Sequence, residues 1–122
     1  MRRLFIIDDN EELVDILKHL LAKEYIIKTR LDTMNIIADI MDFKPDLLII
    51  DHSVGDVSSA DIIRELKASI PGFNVPVILF SAHGSLKEIA LATGAAGYIE
   101  KPSDINYIRS YIRNIAEKKN SM

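Results

Sequence analysis

Three short apolar runs, at residues 4–7 (LFII), 47–50 (LLII) and 77–80 (VILF), decide most of what this chain can fold into. None alternates with polar residues, so none can line a sheet with one solvated face. Each reads as a strand buried on both sides, and such strands need helices packed above and below them. Residues 25–29 (YIIKT) and 97–100 (GYIE) carry a weaker form of the same signal and read as edge strands.

Between the runs lie apolar stripes at helical spacing. Leu13, Leu17, Leu20 and Leu21 form one, and Ile105, Ile108, Ile112 and Ile115 another. Ile36, Ile37, Ile40 and Met41 mark a third helix, Ile62, Ile63 and Leu66 a fourth, and Leu86, Ile89 and Ala90 a short fifth. Lys44-Pro45 closes the second helix in the chain, Pro71-Gly72 breaks the chain before the fourth long strand, and Gly94 stands where a C-cap belongs. Asn10 and Ser103 are N-cap candidates, and Glu11 and Glu12 suit the positive end of the first helix dipole. Strands alternating with single helices predict an α/β fold with right-handed crossovers, one parallel sheet and helices on both faces.

With 122 residues, 48% hydrophobic and 27% charged, the chain is predicted to form a single domain spanning 1–122, with its core over about 4–116. No linker, repeat or low-complexity segment divides it, and only 117–122 reads as a frayed, solvated tail. Lys and Arg number 15 against 18 Asp and Glu, a net charge of -3, which argues against direct nucleic-acid binding and against an anionic lipid surface. The absence of cysteine excludes a disulfide scaffold, Cys-ligated zinc and a thiol nucleophile. The apolar run after Met1-Arg2-Arg3 stops at Asp8, too soon for a signal peptide, and no stretch is long enough to span a bilayer. The expectation is a cytoplasmic domain without membrane insertion.

In a sheet of this kind the strands all end at one edge, and ligands bind there. The first strand runs into Asp8-Asp9, the third into Asp51, the fourth long strand into Ser81-Ala82 and the fifth into Lys101-Pro102. Taken singly, these have plainer readings: paired acids after a strand are ordinary turn residues, and a lysine at a strand end is ordinarily a solvated charge. Their convergence carries the inference. Three carboxylates on one rim raise one another's pKa unless a cation intervenes. Oxygen donors without His or Cys favour a hard ion, Mg²⁺ or alternatively Mn²⁺. Mg²⁺ held by two or three protein oxygens keeps positions open for phosphate oxygens, and a neighbouring lysine and serine complete a phosphoryl site.

The order Asp8-Asp9, Asp51, Ser81-Ala82, Lys101-Pro102, with the stretch TGAAGYIEKP at 93–102, resembles the receiver domain of two-component response regulators, in a chemotaxis-regulator-like form. The resemblance implies a flavodoxin-like, doubly wound five-stranded parallel sheet of order 2-1-3-4-5 and a cis Lys101-Pro102 bond. It implies that Asp51 is a phosphoacceptor served by a histidine kinase or histidine phosphotransfer protein. Asp9 would bind Mg²⁺ directly, Asp8 directly or through water, and Asp51 and the Ser53 carbonyl would complete the protein ligands. Lys101, the Ser81 hydroxyl and the Ala82 N–H would take the remaining phosphoryl oxygens, while Ser81 and Tyr98 would form the switch. On that reading the chain is no turnover enzyme. It would be phosphorylated and dephosphorylated at Asp51 and would switch binding to a downstream protein, with a homodimer compatible.

The sequence also departs from the family pattern. Family members often have proline where Gly55 stands and glycine where Ser59 stands, so the loop after Asp51 is expected to be more mobile. The segment from Ser81 to Gly94 is a residue or two short, which predicts a stunted fourth helix. Arg109, Tyr111 and Arg113 do not follow the arginine pattern of the winged-helix transcription-factor subfamily. Tyr107 and Tyr111 are either a docking patch or half-buried packing, and His19, His52 and His83 carry no chemical assignment. An aspartyl phosphatase would use a similar nucleophile but needs an acid two residues later, where Ser53 stands. A nucleotide-binding module needs a glycine-rich or hydroxyl-rich first loop, where Asp8-Asp9-Asn10-Glu11-Glu12 stands. A non-phosphorylated receiver-like binding module is a further alternative, and the chain is either a stand-alone regulator or a piece of a larger one.

Overall fold

The computed structural model describes residues 1–82, 84–101 and 104–120, apart from the side chains of Lys119 and Asn120. In chain order the elements are β1 (Arg2–Ile7), α1 (Glu11–Leu21), β2 (Tyr25–Arg30), α2 (Ile36–Phe43), β3 (Leu47–Asp51), β4 (Ser53–Val54), β5 (Val57–Ser58), α3 (Ser59–Ser69), β6 (Val77–Ser81), α4 (Leu86–Thr93), β7 (Gly97–Glu100) and α5 (Ile105–Asn120). The main sheet is parallel throughout, in the order β2-β1-β3-β6-β7. Counting its five strands alone, this is the expected 2-1-3-4-5, a flavodoxin-like arrangement. No described helix is long and apolar enough to cross a membrane.

The apolar runs serve two cores because successive side chains of a strand point to opposite faces. Leu4, Ile6, Leu47, Ile49 and Phe80 face α1 and α5, while Phe5, Ile7, Leu48, Ile50 and Leu79 face α2, α3 and α4. The helical stripes shift slightly from their predicted positions. On α1 the buried residues are Val14, Leu17 and Leu21, with Leu13 and Leu20 only partly covered. Met41 is 49% exposed and Ile105 46% exposed. Both were expected to pack inward. Ile105 opens α5 at the carboxyl edge, beside Lys101, where it borders a surface groove instead of the sheet. The buried apolar residues run from Leu4 to Ala116, and α5 continues to Asn120, so residues 117–120 are helical. Glu and Lys there are good helix formers and extend the helix beyond its packed face.

The element ends follow local chemistry. The Asn10 side-chain oxygen accepts the Leu13 N–H at 3.1 Å and caps α1. Lys44 adopts a left-handed conformation (φ 54) before Pro45 and ends α2, and Gly94 (φ 75) ends α4, which is eight residues long and as short as expected. The Ser103 cap and the Lys101-Pro102 bond lie outside the described residues. The segment after Asp51 folds as the antiparallel pair β4–β5, turned by Gly55 and Asp56. Glycine with positive φ at the first turn position suits such a two-residue connection.

Two side chains in this frame have measurable consequences. Ser59 is fully buried, its φ is not positive, and its hydroxyl has no hydrogen-bond partner among the described residues. The backbone here has no need of glycine, and the hydroxyl is a cost. Ser59→Ala should raise stability by about 1 kcal/mol in urea denaturation. At the sheet edge, the Tyr111 hydroxyl accepts the Tyr98 N–H at 3.0 Å, and a Cβ on Gly97 would run into that hydroxyl and its ring. Gly97→Ala should therefore cost about 1–3 kcal/mol. In a Tyr111→Leu background the cost should shrink, and an unchanged cost would show that Tyr111 is not what excludes the side chain.

Candidate functional site

Asp8 follows β1 and is only 2% exposed. A carboxylate so buried needs donors, and among the described residues it has two: the Asn10 N–H at 2.9 Å on one oxygen and the Lys101 ammonium at 2.9 Å on the other. The turn that starts α1 thus also anchors Asp8. Lys101 follows β7, two strands beyond β3, and its own N–H donates to the Ser81 carbonyl at 3.0 Å, extending the β6–β7 ladder. Its ammonium lies 5.2 Å from the Phe80 ring centroid, a distance at which the ring face attracts a cation.

Asp51 ends β3, directly beside β1. Its carboxylate accepts hydrogen bonds from the His52 N–H and the Ser81 hydroxyl, and one oxygen stands 3.8 Å from the Lys101 ammonium. Burial, followed by the neighbouring charge of Asp8, raises the pKa of Asp51, and Lys101 and the two hydrogen bonds offset this only in part. Asp9 is exposed, and its Oδ2 accepts the Gly55 N–H at 3.0 Å.

Each of the three acids has an oxygen within 4.8 Å of the others. This donor set suits a hard divalent ion: among the described residues it is all oxygen, and the destabilised charge on Asp51 is what a cation would relieve. The fold therefore gathers Asp8, Asp9, Asp51, Lys101 and Ser81 at one edge. Ser53 is exposed on β4 opposite Ser58, and Ala82 is exposed directly after β6. Tyr98 lies apart from the cluster, half-buried on β7 and packed against the core shared by α3 and α4. His19 is exposed, His52 is half-buried with its carbonyl accepting the Ser59 N–H at 2.8 Å, and His83 lies outside the described residues. Tyr111 is half-buried packing on α5, whereas Tyr107 is 52% exposed beside it.

Two neighbours of the site escaped the sequence reading. Phe80 reads from sequence only as a core residue, and Gly55 only as a departure from the family's usual proline. No local pattern announces a bond spanning 46 positions.

The raised pKa of Asp51 has a consequence for stability in the absence of divalent ions. An acid whose pKa is higher when folded binds more protons in the folded state than in the unfolded one. Stability therefore falls as pH rises from the ordinary carboxylate range, about 4, through the raised value, and stays lower above it. Asp51→Asn should stabilise the metal-free protein at pH 7 and have much less effect at pH 3, as read by urea denaturation. Equal effects at both pH values would show that the fold does not penalise this charge.

Comparison with known proteins agrees with the fold. Residues 4–113 match the family described as the response regulator receiver domain. The chain is 30% identical over 80 residues to the regulatory protein LuxO of Vibrio vulnificus, a match covering 64% of this chain and 17% of that protein. It is 24% identical over 118 residues to hybrid signal transduction histidine kinase D of Dictyostelium discoideum, covering 95% of this chain and 8% of that one. The chain thus spans only a small part of the length of these relatives. Among solved structures it is similar to a two-component response regulator from Clostridium difficile, with a TM-score of 0.86, 20% identity and coverage of 99% and 100% of the two chains. It is also similar to the receiver domain of NtrX from Brucella abortus, with a TM-score of 0.81, 24% identity and coverage of 93% and 98%. With the family matched over nearly the whole chain and a converged acidic cluster at the carboxyl edge of its sheet, the protein belongs to the response regulator receiver domain family.

Proposed function

We propose that the protein is a phosphoacceptor receiver in which Asp51 takes a phosphoryl group from a histidine kinase or histidine phosphotransfer protein. The observation that supports this most is that Asp51, of the three clustered acids, is approached by both Lys101 and the Ser81 hydroxyl. A carboxylate oxygen of Asp51 attacks phosphorus as the bond from phosphorus to the donor's imidazole nitrogen breaks, leaving an acyl phosphate and a free histidine. In its ionised form the carboxylate has no proton to lose, so no separate base is needed, and Lys101 together with a bound cation would favour that form. Mg²⁺ bound by Asp8, Asp9, Asp51 and the Ser53 carbonyl would neutralise charge on the nucleophile and on the phosphoryl oxygens.

The chain's own residues then divide the work. Lys101, held by Asp8 and the Phe80 ring, supplies a fixed positive charge for a phosphoryl oxygen. The Ser81 hydroxyl and the Ala82 N–H serve the others. A phosphoryl group on Asp51 offers the Ser81 hydroxyl a stronger acceptor than the carboxylate it now binds. That bond draws the end of β6 inward and favours an inward position of Tyr98, a shift between two states limited by their difference in contacts. The output is altered binding of a partner protein in the cytoplasm, not turnover of a substrate. That relatives carry the names of a histidine kinase and a regulatory protein supports a kinase as the donor.

Intact mass spectrometry with acetyl phosphate and Mg²⁺ tests this reading. The expected result is a single added phosphoryl group, absent with EDTA and in Asp51→Asn, with the labelling rate at least about tenfold lower in Lys101→Ala. Labelling that persists in Asp51→Asn would overturn the assignment, and sustained hydrolysis of a small phosphoester would favour the phosphatase alternative.

A further inference from the structure

The Gly55 N–H donates to Asp9 Oδ2 at 3.0 Å and ties the tip of the β4–β5 hairpin to the loop after β1. Gly55 has φ +60, and a Cβ added to it would meet nothing within 4 Å. Space does not call for glycine at this position, but the backbone conformation does, and that conformation aims the N–H at Asp9. Proline, common in the family at this place, could do neither, since it has no N–H and its φ is fixed near -65°. Asp9 is otherwise an exposed side chain on a turn, and among the described residues Gly55 alone donates to its carboxylate.

We propose that Gly55 is a positioning residue for the cation site: its N–H holds the Asp9 carboxylate in place beside Asp8 and Asp51 for a divalent ion. The inference rests on Asp9 being a Mg²⁺ ligand, as proposed above. An exposed carboxylate loses rotamer freedom when it takes up a metal ion, and a bond that has already ordered it lowers that cost. Partners that orient metal ligands in this way are worth about 10- to 100-fold in affinity. The coupling is reciprocal, so the ion in turn stabilises the hairpin.

The test is a Mg²⁺ titration of the full chain, followed by ¹H–¹⁵N NMR, for wild type, Gly55→Ala and Gly55→Pro. Alanine is strained at this φ but keeps the N–H, whereas proline removes it. Gly55→Pro should weaken Mg²⁺ binding about tenfold or more, and Gly55→Ala much less. Equal losses in both variants, or binding in Gly55→Pro as tight as wild type or tighter, would overturn the proposal. A second measurement leaves Gly55 unchanged: in metal-free protein, exchange of the Gly55 amide hydrogen should accelerate about fivefold in Asp9→Ala. If Gly55→Pro does not fold, this comparison decides, and unchanged exchange counts against the bond. A wild-type chain that binds no Mg²⁺ would remove the metal reading itself, a failure distinct from one confined to Gly55.

Discussion

Asp8 carries a carboxylate into a position only 2% exposed, and the fold has to compensate it there. Compensation comes from two directions. The N-terminal turn of α1 supplies the Asn10 N–H, and β7 supplies Lys101 from across β3 and β6. That second contact spans 93 positions in sequence, so it exists only when the whole sheet has assembled in its proper order. The ion pair is therefore a constraint on topology as much as a local bond. A different strand order, or a slip of β7 by one residue, would leave Asp8 buried and without its cation.

The same constraint shapes Asp51. One ammonium faces two acids at unequal distances, 2.9 Å from Asp8 and 3.8 Å from Asp51. Asp8 is satisfied first, and Asp51 keeps a charge that burial and Asp8 both disfavour. Asp9 adds a third carboxylate on the exposed side of the cluster. The rim thus has more negative charge than Lys101 can balance, and this imbalance is what suits it to a divalent cation. A site neutralised by its own side chains would gain little from binding one.

Much of this was legible in the sequence because strand burial and strand ends are local properties. Residues 4–7, 47–50 and 77–80 declare themselves as doubly covered strands, and the residues that follow them must then share an edge. The helix stripes were read less accurately. Met41 and Ile105 are apolar and correctly spaced, yet they lie at the solvent side of α2 and at the overhanging start of α5, where spacing does not reveal the reach of the sheet. The β4–β5 hairpin was missed for a related reason: two residues per strand are too few to show alternation. Its turn glycine was noticed only as a departure from the usual proline. What Gly55 binds depends on where Asp9 lies in space, which no local pattern encodes. The packing of Tyr111 against Gly97 is similar, since glycine in a strand signals close approach without naming what approaches.

Holding Tyr98 by its backbone has a bearing on how a switch could work here. Its N–H is on the open edge of β7, and Tyr111 of α5 closes that edge in place of a further strand. The Tyr98 backbone is thus fixed to α5 while its side chain packs toward α3 and α4 on the other face. A change at Ser81, which pairs with Glu100 in the β6–β7 ladder, can be transmitted along β7 with the Tyr111 bond as a fixed point. Under that constraint the side chain of Tyr98 is free to change rotamer only if the α3–α4 side yields room, while the strand itself stays in register. The eight-residue α4, buried through Leu86 and Ala90, has less packing to lose than α3, which is buried through Ser59, Ile62, Ile63 and Leu66. Under the proposed switch, α5 is therefore the fixed wall and α4 the side that yields.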